Sequence, residues 1–122
     1  MVQPSIRLLI VDNQAIVRKG TIALLAQLDG ITVVGEATNG QEAINEAALL
    51  NPDVILMDLV MPEVDGIEAI QRISATQPDV RILALTSFAT DDKVFPAIKA
   101  GALGYLLKDA EPEDLVAAIY QV

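Results

Sequence analysis

Five short apolar runs recur along the chain: LLIV at 8–11, ITVV at 31–34, VILM at 54–57, ILAL at 82–85 and YLL at 105–107. They are continuous rather than alternating, the pattern of strands covered on both faces. Between them, apolar residues recur every three or four positions. Val17, Leu24, Leu25 and Leu28, with Thr21, follow the first run; Ala43, Ile44, Ala47 and Ala48 follow the second; Ile67, Ile70 and Ile73 follow the third; Leu115, Val116 and Ile119 follow the fifth. That period is the apolar stripe of a helix. Gly30, Gly40, Asn51-Pro52, Gln77-Pro78 and Gly101 fall between these segments, and Pro112 suits the first turn of a last helix.

Strand then helix, five times over, predicts an α/β fold: a five-stranded parallel sheet with helices on both faces and right-handed crossovers. The expected strand order is 2-1-3-4-5, the flavodoxin-like solution. A chain of 122 residues without linker, repeat or low-complexity stretch is expected to form one domain over 1–122. One segment departs from the helical pattern. A proline inside a helix loses a hydrogen bond and clashes with the preceding turn, at ~3 kcal/mol. Pro96 therefore predicts a fourth helix that starts near Phe95, with Phe88 to Val94 left as a mobile loop.

Composition narrows the chemistry. The absence of Cys and His excludes disulfides, thiolate and imidazole metal sites, and Ser-His-Asp or cysteine nucleophiles. No apolar run approaches the ~20 residues of a membrane span, and the amino terminus lacks a signal pattern, so the expectation is a cytoplasmic chain away from membranes. Net charge is −9, with the eight basic residues scattered, so this segment alone is not expected to bind DNA.

In open parallel sheets, ligands bind at the carboxyl ends of the strands. The residues there are Asp12-Asn13, Gly35-Glu36, Asp58, Thr86-Ser87 and Lys108-Asp109. If strands one and three are neighbours, Asp12 and Asp58 face each other, and Thr86 and Lys108 arrive from strands four and five. Asp12 alone could equally cap the first helix. Asp58, between VILM and LVMP, is harder to explain structurally, because an unpaired buried carboxylate is costly. Asp53 precedes its strand and reads as a turn at the opposite edge. Oxygen donors without nitrogen or sulfur suit Mg2+. Mg2+ and an ammonium beside a carboxylate suit phosphoryl transfer onto that carboxylate, here Asp58.

LLIVDNQ, VILMDLVMPEVDG, ILALTSF and GALGYLLKDA, in this order and spacing, resemble the receiver domain of two-component response regulators. VVGEATNG and LLKDA resemble its NarL/FixJ branch, whose members carry a LuxR-type helix-turn-helix after the receiver. The resemblance implies a switch rather than a metabolic enzyme, catalysing only its own phosphorylation and dephosphorylation. Asp58 would accept a phosphoryl group from a sensor histidine kinase. Asp12 would help hold Mg2+, and the backbone carbonyl of Val60 would be a further ligand. Thr86 and Lys108 would engage the phosphoryl group, and Tyr105 would be the aromatic that turns inward when Thr86 moves. Homodimerisation on phosphorylation and an output domain that binds DNA, absent from this chain, are also implied. Asp65-Gly66 matches the turn after the acceptor, where glycine supplies a positive φ.

Asn13 departs from the family, which carries a second acid there; one negative charge is missing, and weaker Mg2+ binding is expected. A receiver-like interaction module that is never phosphorylated is the main alternative. A flavodoxin-like electron carrier would need a phosphate-cradling loop and aromatics around a flavin, where this chain has DNQ and four aromatics. A Walker-type site lacks its Lys and Ser/Thr after GEATNG, where Gln41-Glu42 stands. Haloacid-dehalogenase-type phosphatases need an acid at the position of Gln14.

Overall fold

Each apolar run forms a strand and each intervening segment a helix. The computed structural model describes residues 5–59, 61, 65–86 and 94–122. Along the chain these form β1 (Ile6–Val11), α1 (Ala15–Ala26), β2 (Ile31–Ala37), α2 (Gly40–Leu50), β3 (Val54–Asp58), α3 (Gly66–Thr76), β4 (Arg81–Thr86), α4 (Val94–Ala100), β5 (Gly104–Leu107) and α5 (Pro112–Gln121). The strands are parallel in the order β2-β1-β3-β4-β5, as expected.

Alternate side chains of the strands feed two cores. Leu9, Val11, Ile55, Met57, Ile82 and Ala84 pack with Ala43, Ala47, Ile70, Ile73 and Ala97 of α2, α3 and α4. Leu8, Ile10, Val54, Leu56, Leu83 and Leu85 pack on the other face with Leu25 of α1 and Ile119 of α5. Both faces of β3 are covered, and all five of its residues are buried. This is why VILM reads as an unbroken apolar run. Ala48, counted in the apolar stripe of α2, is exposed, whereas Ala43 and Ala47 are buried.

Two element boundaries correct the sequence reading. β2 runs on to Ala37, so Gly35-Glu36 lies inside the strand rather than beyond it. The register with β1 slips there: Leu8 pairs with Val33 and Leu9 with Gly35. Val34 is the extra residue, and such a bulge re-aims the side chains that follow. In α4 the described helix spans Val94–Ala100 with Pro96 inside it, and so includes Val94, which was expected in the loop. The loop expected before it otherwise lies outside the described residues.

α3 starts hard against the end of β3. Asp65 caps it, its carboxylate accepting the Glu68 N–H at 2.8 Å, and the Gly66 N–H donates to the Leu59 carbonyl at 3.3 Å. Gly66 does not have the positive φ expected of it; among the described glycines only Gly30 and Gly101 do. Its requirement is space. A Cβ there would collide with the Asp58 carbonyl oxygen and stand 2.7 Å from the Leu59 Cα, both backbone atoms that cannot swing away. Gly66→Ala is expected to lower the unfolding free energy by ~1–3 kcal/mol, the usual range for overpacking, measured as an earlier urea midpoint.

Candidate functional site

Strand register alone brings the polar residues together. Val11 pairs with Met57, so the next residues along, Asp12 and Asp58, end neighbouring strands side by side. Asp58 pairs with Leu85, so Thr86 lies one step further along the next strand. Thr86 pairs with Leu107, and its carbonyl accepts the Lys108 N–H at 2.8 Å. Asp12, Asp58 and Thr86 are all buried, at 1%, 2% and 1% exposure, which separates them from ordinary solvated strand ends.

The Lys108 side chain reaches past the end of β4 to both acids. Its Nζ lies 3.1 Å from Asp58 Oδ2, 3.2 Å from Asp12 Oδ2 and 3.2 Å from Oε1 of Gln14. At an effective dielectric of ~20, unit charges ~3 Å apart attract by about 5 kcal/mol. Withdrawing each charge from water costs several kcal/mol in return. The ammonium therefore does little more than make the two buried carboxylates tolerable, and together the three groups keep an excess negative charge.

Asp12 has two roles. Its Oδ1 accepts the Gln14 N–H at 2.8 Å, which orders the turn into α1 but does not cap that helix as expected, because Asp12 lies two residues before the cap position. Gln14 itself is the cap residue of that helix and makes no side-chain capping bond. The other oxygen, Oδ2, is buried and has only the non-directional ion pair with Lys108; among the described residues nothing donates a well-aligned hydrogen bond to it. An anionic oxygen held this way, beside a second carboxylate and with no nitrogen or sulfur donor near, fits a hard divalent cation that keeps several waters. Among the described residues no cluster of three acids could hold an ion.

Chain 8–120 matches the family described as the response regulator receiver domain. It belongs to that family. Its curated relatives include the transcriptional regulatory protein LiaR of Bacillus subtilis, 49% identical over 93% of this chain and 54% of LiaR. The nitrate/nitrite response regulator NarL of Escherichia coli is 41% identical over 93% of the chain and 53% of NarL. Among solved structures, the signal receiver domain of the response regulator NarL from Mycobacterium tuberculosis superposes with a TM-score of 0.92 at 28% identity, covering 98% of this chain and 96% of that one. These relatives place the receiver in the NarL/LuxR-type branch, and the chain spans about half the length of the curated relatives it matches.

Of the residues expected at the receiver's site, Asp12, Asp58 and Lys108 meet in ionic contact and Thr86 adjoins them. Asn13 follows Asp12 but is exposed. Tyr105 lies further back on β5, opposite Ala84, and is 48% exposed. Val60 lies outside the described residues. Asp53 stays at the far edge, where its carboxylate accepts the Arg7 N–H at 2.9 Å. Glu36, expected in the crevice, instead faces α1. It pairs with Arg18 at 2.6 Å and Lys19 at 3.3 Å. The Arg18 hydrogen bond, aided by Lys19, holds its carboxyl below the ordinary glutamate range.

Gln14, Arg18 and Glu36 are the residues whose role the sequence reading missed. For Arg18 the sequence holds only its spacing, three and seven residues before Thr21 and Leu25 of the apolar stripe, which puts it on the same side of α1 but names no partner. No transmembrane helix exists among the described residues, none being long and apolar enough to cross a membrane. Replacing Lys108 by Met removes the only cation seen in contact with both buried acids in the described residues. Breaking such a pair costs several kcal/mol; Lys108→Met is expected to lower unfolding free energy by about 3 kcal/mol near neutral pH, read by urea denaturation without divalent ions.

Proposed function

We propose that the domain is a phosphorylation-dependent switch of a two-component system, with Asp58 accepting a phosphoryl group from the phosphohistidine of a sensor histidine kinase. What carries this reading is the Lys108 ammonium within 3.2 Å of two buried carboxylates at the carboxyl edge of the sheet. A carboxylate oxygen of Asp58 attacks phosphorus. As the new bond forms, the bond to the donor's imidazole nitrogen breaks and its electron pair leaves with the imidazole. Mg2+, held by Asp12 and Asp58 with Asn13 offering a neutral oxygen, would neutralise charge on the transferring oxygens.

The chain's own groups make the product consequential. Phosphorylation adds about −1.5 to −2 charge and three strong acceptors. Lys108, already beside Asp58, gains a stronger partner and gives up Asp12. The Thr86 hydroxyl, one step along the neighbouring strand, donates to the same group. Movement of Thr86 opens room on the β4–β5 side, and Tyr105, now exposed, turns inward to fill it. That changes the surface of α4, β5 and α5, which a second copy or an output domain senses. A cytoplasmic setting, dimerisation on phosphorylation and control of transcription through a DNA-binding output domain complete the reading.

Acetyl phosphate with Mg2+ is expected to add one phosphoryl mass to the intact protein, and Asp58→Asn is expected to abolish it. No mass shift with any small phosphodonor, nor complex formation with beryllofluoride, would leave the interaction module that is never phosphorylated. A further expectation concerns Asn13. Restoring the second acid with Asn13→Asp is expected to tighten Mg2+ binding by about tenfold, one charge at close range being worth about 1 kcal/mol or more; calorimetric titration of both proteins checks it, and equal affinities refute it.

A further inference from the structure

Among the described residues, one buried charge stands apart from the acidic cluster. Arg18 is 9% exposed, on the side of α1 that faces the sheet. Its guanidinium makes two bonds in different directions: Nη1 donates to the backbone carbonyl of Asp12 at 2.8 Å, and Nε donates to Glu36 Oε1 at 2.6 Å. Its own N–H donates to the Gln14 carbonyl at 2.9 Å, and the Asp12 N–H donates to the Ala37 carbonyl at 3.1 Å. One side chain thus ties the β1–α1 turn, which carries Asp12, Asn13 and Gln14, to the last residues of β2.

A salt bridge made only for stability needs neither burial nor a bond to a backbone carbonyl at the site. Surface pairs contribute 0–1 kcal/mol and work without either, whereas burying a guanidinium is costly unless its donors are well used. Here one donor is spent on the backbone carbonyl of Asp12, whose side chain lines the cluster, and another on Glu36. The bulge at Val34 is what turns Glu36 toward α1 to receive Nε. Charge pairing with Glu36 also cancels most of the field that a bare guanidinium would project onto a cation site.

We infer that Arg18, anchored by Glu36, is a positioning residue for the acidic site: it fixes the Asp12 backbone so that Asp12 and Asn13 present their oxygens to a divalent cation. This rests on the reading of Asp12 and Asp58 as a Mg2+ site. Electrostatics and positioning predict opposite signs for its removal. Deleting a nearby positive charge strengthens cation binding, and deleting a positional clamp weakens it. The charge-neutral pair Arg18→Met/Glu36→Gln removes both partners at once and leaves positioning as the main variable.

The experiment titrates Mg2+ into the unphosphorylated wild type and the double variant by calorimetry, and measures amide hydrogen exchange at Asp12 in both. The expected result is Mg2+ affinity about tenfold weaker in the double variant, with faster exchange at Asp12 and unchanged exchange at Ile55. Ile73→Val, on the opposite face, serves as a control that lowers general stability; it is expected to leave Mg2+ affinity as in wild type. If the double variant does not fold, Arg18→Lys replaces it, because a single ammonium on a shorter stem cannot serve both acceptors; an affinity loss of a few fold is expected. Affinity within twofold of wild type in the folded variant, or tighter binding, overturns the inference. Failure of the wild type to bind Mg2+ at all overturns the metal reading instead, and the inference with it.

Discussion

Two carboxylates buried at the ends of adjacent strands repel each other, and the Lys108 ammonium, carried past β4 from the end of β5, contacts both and offsets that repulsion. The local structure of this edge is organised around that constraint. Burial makes both acids expensive, so Lys108 must arrive with its backbone already fixed, and the bond from its N–H to the Thr86 carbonyl does this. The parallel ladder supplies the rest. Because Val11 pairs with Met57 and Asp58 with Leu85, a shift of one residue in either ladder would turn these polar residues into the apolar layers packed by the helices. The same register that closes the two cores therefore assembles the charge cluster, and stability and chemistry cannot be varied independently there.

Most of the fold was legible because its strands are buried on both faces. Such strands leave continuous apolar runs that are difficult to mistake when helical periods separate them, and five repeats leave few topologies. The cluster was legible for a related reason. Once LLIV and VILM are neighbours, whatever follows each of them must meet, and Asp12 and Asp58 do. Thr86 and Lys108 follow by the same logic at the ends of β4 and β5. Gly66 shows the limit of a pattern match. Its position was correctly singled out, but the reason is the close approach of the Asp58 and Leu59 backbone, which only coordinates reveal.

What could not be read from the sequence depends on one irregular residue. An apolar run ending at Val34 suggests that β2 stops there and that Gly35-Glu36 points into the crevice. The bulge absorbs Val34, carries the strand on to Ala37 and sends Glu36 to the α1 side instead. Nothing in the composition of ITVVGEA distinguishes these outcomes, because a bulge is decided by how the neighbouring strand and helix pack. Arg18 was hidden by the same event: without Glu36 in reach it reads as one of eight scattered basic residues.

Asn13 gives this cluster a balance of its own. On the proposed reading, the acceptor must receive a group carrying about −1.5 to −2 charge, and every fixed carboxylate nearby resists that step while helping to hold a metal. With Asn13 in place of a second acid after Asp12, that repulsion is smaller by one charge. The incoming phosphoryl group is therefore opposed less, and the metal is held less by protein charge and more by geometry. Under those terms the exact placement of Asp12 gains weight, since its oxygen cannot be replaced by a charged neighbour. A site with fewer charges has to rely more on the rigidity of the turn that carries them, and in this chain that turn is tied down from β2 through Glu36 and Arg18.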